Sequence, residues 1–113
     1  MIQITPQTTA YVACHPVDFR KGHDGLCKIC KEIMEKDPFS GAIFVFTNKR
    51  KDGLKLLFFD RQGFWLCHKR LSKGVLSWWP ESTESGVEID HKNLLLLIWN
   101  GDFQRIKMGN DWK

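Results

Sequence analysis

The chain has no long apolar run: its longest, LLLLIW at 94–99, is far short of the roughly 20 residues that cross a bilayer. The opening MIQITPQTTAY lacks a charged segment followed by an apolar one, so no export signal or membrane anchor is expected there, and the expected location is cytoplasmic. Cysteine is sparse, and the four present (Cys14, Cys27, Cys30 and Cys67) are expected as reduced thiols rather than a disulfide framework. Cys27-x-x-Cys30 lacks the second ligand pair that structural zinc needs, and its spacing is that of a buried helix stripe. Also missing are G-x-x-x-x-G-K, G-x-S-x-G and H-E-x-x-H, which removes the phosphate-loop, nucleophile-elbow and zinc-protease classes. Cys14 and His15 are neighbours that would point to opposite faces of a strand, a poor nucleophile and base pair. Asp18, Asp24 and Asp60 could in principle gather a magnesium ion, with Asp90-His91-Lys92 a loose echo of a nuclease motif. Two of these aspartates fit plainer roles as a helix cap and a turn residue. The expectation is a protein that is not an enzyme and holds no metal or cofactor.

At 113 residues, 42% of them apolar, the chain has the size and composition of one domain, expected over 1–113. Its net charge of +4 is unevenly spread. Between Lys49 and Lys73 stand Lys49, Arg50, Lys51, Lys55, Arg61, Lys69, Arg70 and Lys73 against Asp52 and Asp60, a local charge of +6 that leaves the rest at −2. Charge gathered in one third of a chain concerns partners, and a basic patch selects phosphates. DNA is the expected partner.

Residues 10–14 read as a short strand stopped by His15-Pro16. Asp18 reads as the N-cap of an amphipathic helix, because Phe19, Gly22, Leu26, Ile29, Cys30 and Ile33 recur at three- and four-residue spacing before Asp37-Pro38. Four strands follow at 42–47, 54–60, 64–70 and 75–79, joined by the turns NKRKDG, RQG and SKG, and such short turns make neighbours antiparallel. PESTESG at 80–86 reads as a surface loop. Asp90 is placed to cap a second helix through Leu94, Leu95, Leu97 and Ile98 to Trp99, with Gly101 at its end, although a buried strand would fit the same apolar run. The expected class is therefore α+β, an antiparallel β-meander of four to five strands packed with an N-terminal and a C-terminal helix. Both sheet faces look apolar, since Ile43 and Val45 oppose Phe44 and Phe46, and Phe64 and Leu66 oppose Trp65 and Cys67. Helices on both sides, a curled barrel or a partner protein would each supply the cover.

In D-F-R-K at 18–21, Arg20 and Lys21 would occupy the first helical turn against the macrodipole. That placement makes sense if an anion docks on the free N–H groups, and costs little if they are merely exposed. Alternate turns of a meander share an end, which groups Lys49, Arg50, Lys51, Lys69, Arg70 and Lys73 and leaves Arg61 at the other. Together with Arg20 and Lys21 these form the expected DNA-binding set; the plain alternative is lysines that end strands and discourage edge pairing. Aromatics are by default core, with one tryptophan of Trp78-Trp79 expected at the surface and the pair expected to contact a partner protein.

The blocks D-x-R-K-G-x-D-G-L at 18–26, D-P-F-S-G at 37–41 and Q-G-F-x-L-x-x-K-R-L at 62–71, in this order and spacing, resemble the small TnpB accessory proteins of the IS-sixty-six family of bacterial insertion sequences. The likeness runs from Tyr11 to about Phe103, which sets an expected core of about 10–103. It implies a non-catalytic product of a second reading frame, encoded beside a separate transposase and needed for the element to move. Its implied partners are DNA, the transposase and other proteins of the same element, and further copies of itself. The motif positions carried over are Asp18, Arg20, Lys21, Gly22, Asp24 and Gly25, then Gln62, Gly63, Phe64, Lys69 and Arg70. His23 stands where the resemblance leads one to expect an aliphatic residue.

Overall fold

A computed structural model describes residues 3–101; Asp102 and Phe103 of the expected core lie outside them. Its elements in chain order are β1 (Ala10–Ala13), α1 (His23–Glu32), β2 (Ile43–Thr47), β3 (Gly53–Phe59), β4 (Phe64–Arg70), β5 (Gly86–Ile89) and α2 (His91–Ile98). The strands form one sheet in the order β4-β3-β2-β1-β5. It is mostly antiparallel, so the α+β class with a helix near each end holds. The β2-β3-β4 meander holds as well, with Val45 opposite Leu56 and Leu57 opposite Leu66.

Two strand assignments differ from the sequence expectation. Residues 75–79 form no strand; the fifth strand is β5, from the segment read partly as loop, and it pairs antiparallel with β1. The reason is local. Leu76 donates its N–H to the Lys51 carbonyl at 2.7 Å, and Trp79 drops its indole into the core to donate to the Ala13 carbonyl at 3.1 Å. The segment is spent lacing loops together and offers no free ladder. The first strand also runs parallel to β2, with Tyr11 beside Phe44, and α1 supplies the crossover that a parallel pair requires.

Over β1, β2 and most of β3 both faces of the sheet are covered by the chain itself, whereas no residue of β4 is fully buried and its Trp65 is exposed. One face presents Ala13, Phe44, Phe46 and Leu57 to Leu26, Cys30 and Met34 of α1 and the turn after it. The other presents Ala10, Val12, Ile43, Val45, Leu54 and Leu56 to Leu94 and Leu97 of α2, with Leu76 and Trp79 filling the gap that a helix of eight residues leaves. The apolar runs of β2 and β3 thus read as strands buried on two sides, and neither a barrel nor a partner is needed to explain those two. Each large aliphatic or aromatic side chain buried this way contributes on the order of 2 kcal/mol.

The first helix starts later than its spacing suggests. It begins at His23 with Gly22 as N-cap and no side-chain cap, whereas Asp18 caps nothing helical. Asp18 Oδ1 instead accepts the Arg20 N–H at 2.9 Å, and the carbonyls of Phe19 and Lys21 accept from Lys55 Nζ at 2.7 and 3.0 Å. With the Arg20 N–H turned to Asp18 and these carbonyls drawn to a distant lysine, the segment forms a turn ahead of the helix. Arg20 and Lys21 therefore precede α1 rather than lying in its first turn, where Asp24 stands in accord with the dipole. The second helix behaves as its sequence signals suggest: Asp90 Oδ1 accepts the Asn93 N–H at 2.8 Å, and the helix closes with Asn100 at φ 51° and the Gly101 N–H on the Leu96 carbonyl at 2.8 Å.

Candidate nucleic-acid interface

The loops at one end of the sheet collect the basic residues. Strands β1, β2 and β4 finish there and β3 starts there, so residues 14–22, 48–52 and the chain after Arg70 are neighbours. In the 48–52 turn Asn48 binds Asp52 twice, Nδ2 to Oδ1 at 2.6 Å and Oδ1 from the Asp52 N–H at 3.1 Å. That clamp leaves Lys49, Arg50 and Lys51 pointing outward, all exposed, with Lys51 taking a left-handed φ of 58°. Gly53 has another task. A Cβ there would lie 3.1 Å from the Phe19 ring and 3.2 Å from the Lys69 carbonyl, so its absence lets the D-F-R-K loop sit against the sheet.

The same end receives Lys73, because the Leu71 N–H donates to the Asp52 carbonyl at 2.8 Å and Leu76 to Lys51, folding residues 71–76 onto the turn. Arg70 is exposed at the finish of β4. Arg20 is exposed too, held by Asp18 through Nη2 to Oδ2 at 2.7 Å and Nε to both oxygens at 3.0 and 3.1 Å. Those hydrogen bonds, with the Arg20 N–H beside them, hold the Asp18 carboxyl at about 2, well below its ordinary range. Arg20, Lys49 and Arg50 share the rim of an open cleft of about 810 Å³ whose floor is Pro16, Val17 and Phe19. The structure thus brings Arg20 to the hairpin cations, while Lys21 lies over α1, its Cβ and Cγ stacked about where a side chain on Gly25 would be.

Lys69 stands apart from the group. It points to the opposite face of β4 from Arg70, its ammonium donates to the Ile98 carbonyl at the end of α2, and it lies 5.3 Å from the centre of the Trp99 ring. A cation at a helix C-terminus is a structural partner, since the carbonyl ends of the helix carry partial negative charge. Arg61 lies at the far end of the sheet in the β3–β4 turn, as the turn count requires. Of the tryptophan pair, Trp78 is 43% exposed and Trp79 is buried. Trp65 is also exposed, its indole held by Asp60 Oδ2 at 2.8 Å.

Lys55 is the residue that sequence reading passed over, counted only as charge. It is 6% exposed, faces the α1 side of β3, and holds the Phe19 and Lys21 carbonyls while lying 5.0 Å from the centre of the Phe19 ring. A lysine at an inward position among leucines was the available signal. Cys30 is buried, which pushes its thiol up to about 12, and Cys27 is half-buried beside it. Among the described residues no three His, Cys, Asp or Glu side chains gather where they could hold a metal ion.

The model of the IS66 Orf2 like protein family matches residues 8–108. The chain belongs to that family. Its members are accessory proteins of insertion sequences. Among similar chains, the uncharacterized protein y4jC of Sinorhizobium fredii is 34% identical over 96 residues, covering 85% of this chain and 81% of its own. A second uncharacterized protein of that organism, y4hO, is 28% identical over 103 residues, 91% of this chain and 81% of its own. No solved structure matches the IS66 Orf2 like chain. No helix among its described residues is long and apolar enough to cross a membrane.

Proposed function

We propose that this insertion-sequence accessory protein, a subunit without catalytic activity of its own, works by gripping the DNA backbone with the basic end of its sheet, beside the transposase of the same element. The observation that carries the reading is the convergence of Arg20, Lys49, Arg50, Lys51, Arg70 and Lys73, from three separate segments, on one end of a rigid sheet. Lys21 adds charge at the edge of the group. Lys69 and Trp79 leave the contact set, because the first serves α2 and the second the core. Half a dozen cations would neutralise about that many phosphates and give a steep salt dependence, with log K falling by roughly 0.9 for each phosphate per unit of log salt.

Titration of terminal-repeat DNA and unrelated duplex at two salt concentrations tests this directly. The expected result is binding to both with a log–log slope of about −4 to −6, and Lys49→Ala with Arg50→Ala flattening it by about 2. Absence of binding to either DNA would sink the proposal. A second reading, an adaptor that docks another protein, loses its supposed open sheet face but keeps one support: Val75 and Trp78 stand 57% and 43% exposed on one loop. Under that reading Trp78→Ala abolishes co-purification with the transposase and leaves DNA affinity unchanged.

A further inference from the structure

The cleft between the D-F-R-K loop and the 48–52 turn is unlike the rest of the basic end. Its floor is apolar, Pro16, Val17 and Phe19, while its rim carries Arg20, Lys49 and Arg50. A duplex shows a protein only phosphates, sugars and base edges, so an apolar floor between cations meets at most the edge of a sugar. An unpaired nucleotide carries a π-face and two flanking phosphates, which match an aromatic floor and a basic rim together. We infer that this cleft takes one unpaired base of DNA against Phe19 and Val17, with the neighbouring phosphates on Arg20, Lys49 and Arg50.

Both walls are built before any ligand arrives. The Val17 N–H donates to the Thr47 carbonyl at 2.9 Å, Lys55 fixes the Phe19 and Lys21 carbonyls, and Asn48 clamps its own turn through Asp52. A site held in this way loses little conformational entropy on binding. Asp18 is the acid at the rim, and its oxygens are already occupied by the Arg20 guanidinium and N–H. It therefore offers no free acceptor for reading a base edge, and the cleft recognises an unpaired base by stacking and charge, not by its identity.

This inference rests on the DNA reading above, and the experiment separates the two. The intact protein is titrated by fluorescence anisotropy with three labelled DNAs of one length: a blunt duplex, the same duplex with a central bulge of unpaired thymidines, and that bulged duplex with abasic sites in place of the thymidines. The bulged DNA is expected to bind roughly tenfold tighter than the blunt one, and the abasic form to lose that gain while keeping every phosphate. Phe19→Leu keeps an apolar side chain beside Gly53 and is expected to bring the ratio of bulged to blunt affinity down to about one. Equal affinity for ordinary and abasic bulges, or for bulged and blunt DNA, overturns the inference and leaves backbone binding standing. Binding to none of the three overturns both.

Discussion

Lys55 shows how one side chain can decide the course of a loop that lies more than thirty residues away in sequence. Its ammonium ties down the Phe19 and Lys21 carbonyls where the chain turns at Phe19 and Arg20, ahead of α1, which begins at His23. Lys55→Met keeps the length of the side chain and removes the donors. It is expected to cost about 1 kcal/mol in urea denaturation, because two part-buried carbonyls lose their donor, and to weaken DNA binding through the loosened Arg20 loop. The Asp18 and Arg20 pair belongs to the same loop and has a pH signature. A carboxyl depressed to about 2 from 3.8 contributes stability that is fully present above pH 3.8 and disappears as pH falls through about 2. Carboxyl NMR titration of the Asp18 resonance should find that low midpoint in the native protein, and Arg20→Ala should return it toward the ordinary value. A midpoint unchanged by the substitution would mean that the fork is absent in solution.

Among the elements, β4 divides its labour between its two sides. Phe64, Leu66, His68 and Arg70 alternate with Trp65, Cys67 and Lys69, so Lys69 and Arg70, adjacent in a basic dipeptide, reach different surroundings. His68 meets the Phe19 ring edge-on at 5.3 Å, whereas Lys69 ties off α2 at the Ile98 carbonyl. From this follows a contrast within one dipeptide. Lys69→Met should lower stability by about 1 kcal/mol and leave the salt slope of DNA binding intact, while Arg70→Ala should do the reverse. Chemical denaturation and DNA titration on the same two proteins decide it; a slope reduced by Lys69→Met would return that lysine to the DNA contacts. The turns show a comparable division. Asp60 accepts the Gln62 and Gly63 N–H groups and the Trp65 indole, which depresses its carboxyl and gives it a turn role.

For the whole molecule, what matters is that the sheet has two distinct ends. Arg20, Lys49, Arg50, Lys51, Arg70 and Lys73 share one end, and Arg61 sits alone at the other among the basic residues named for this site. Arg61→Ala therefore serves as the matched control for charge. It lowers the net charge by one, as Lys49→Ala does, yet only the Lys49 substitution is expected to change DNA affinity at low salt, by several-fold. Equal losses from the two would mean that binding follows net charge and not the arrangement of the loops. The covered faces bear on partners as well: with α1 on one side and α2, Leu76 and Trp79 on the other, the large apolar side chains left exposed among the described residues are Ile33, Phe39, Trp65, Val75, Trp78 and Trp99.

Much of this was determined by sequence alone, because the signals were local. Strand alternation, the turn residues between β2, β3 and β4, the Asp90 cap and the separation of Arg61 from the other cations follow from chain-neighbour geometry and side-chain period. The doubled apolar pattern announced two covered faces without saying what covers them. Only the tertiary structure decided the rest. Residues 75–79 have a strand's composition, but their N–H groups and Trp79 found partners on loops and on β1, and β5 took the edge instead. The phase of Lys55 in β3 aimed a charge into the core, where it captured the D-F-R-K carbonyls, and the phase of Lys69 in β4 aimed another at α2. Long-range hydrogen bonds of this kind join residues far apart in the chain. Composition and periodicity carry no record of which pairs will meet, so the membership of the basic end could be read only after the chain had folded.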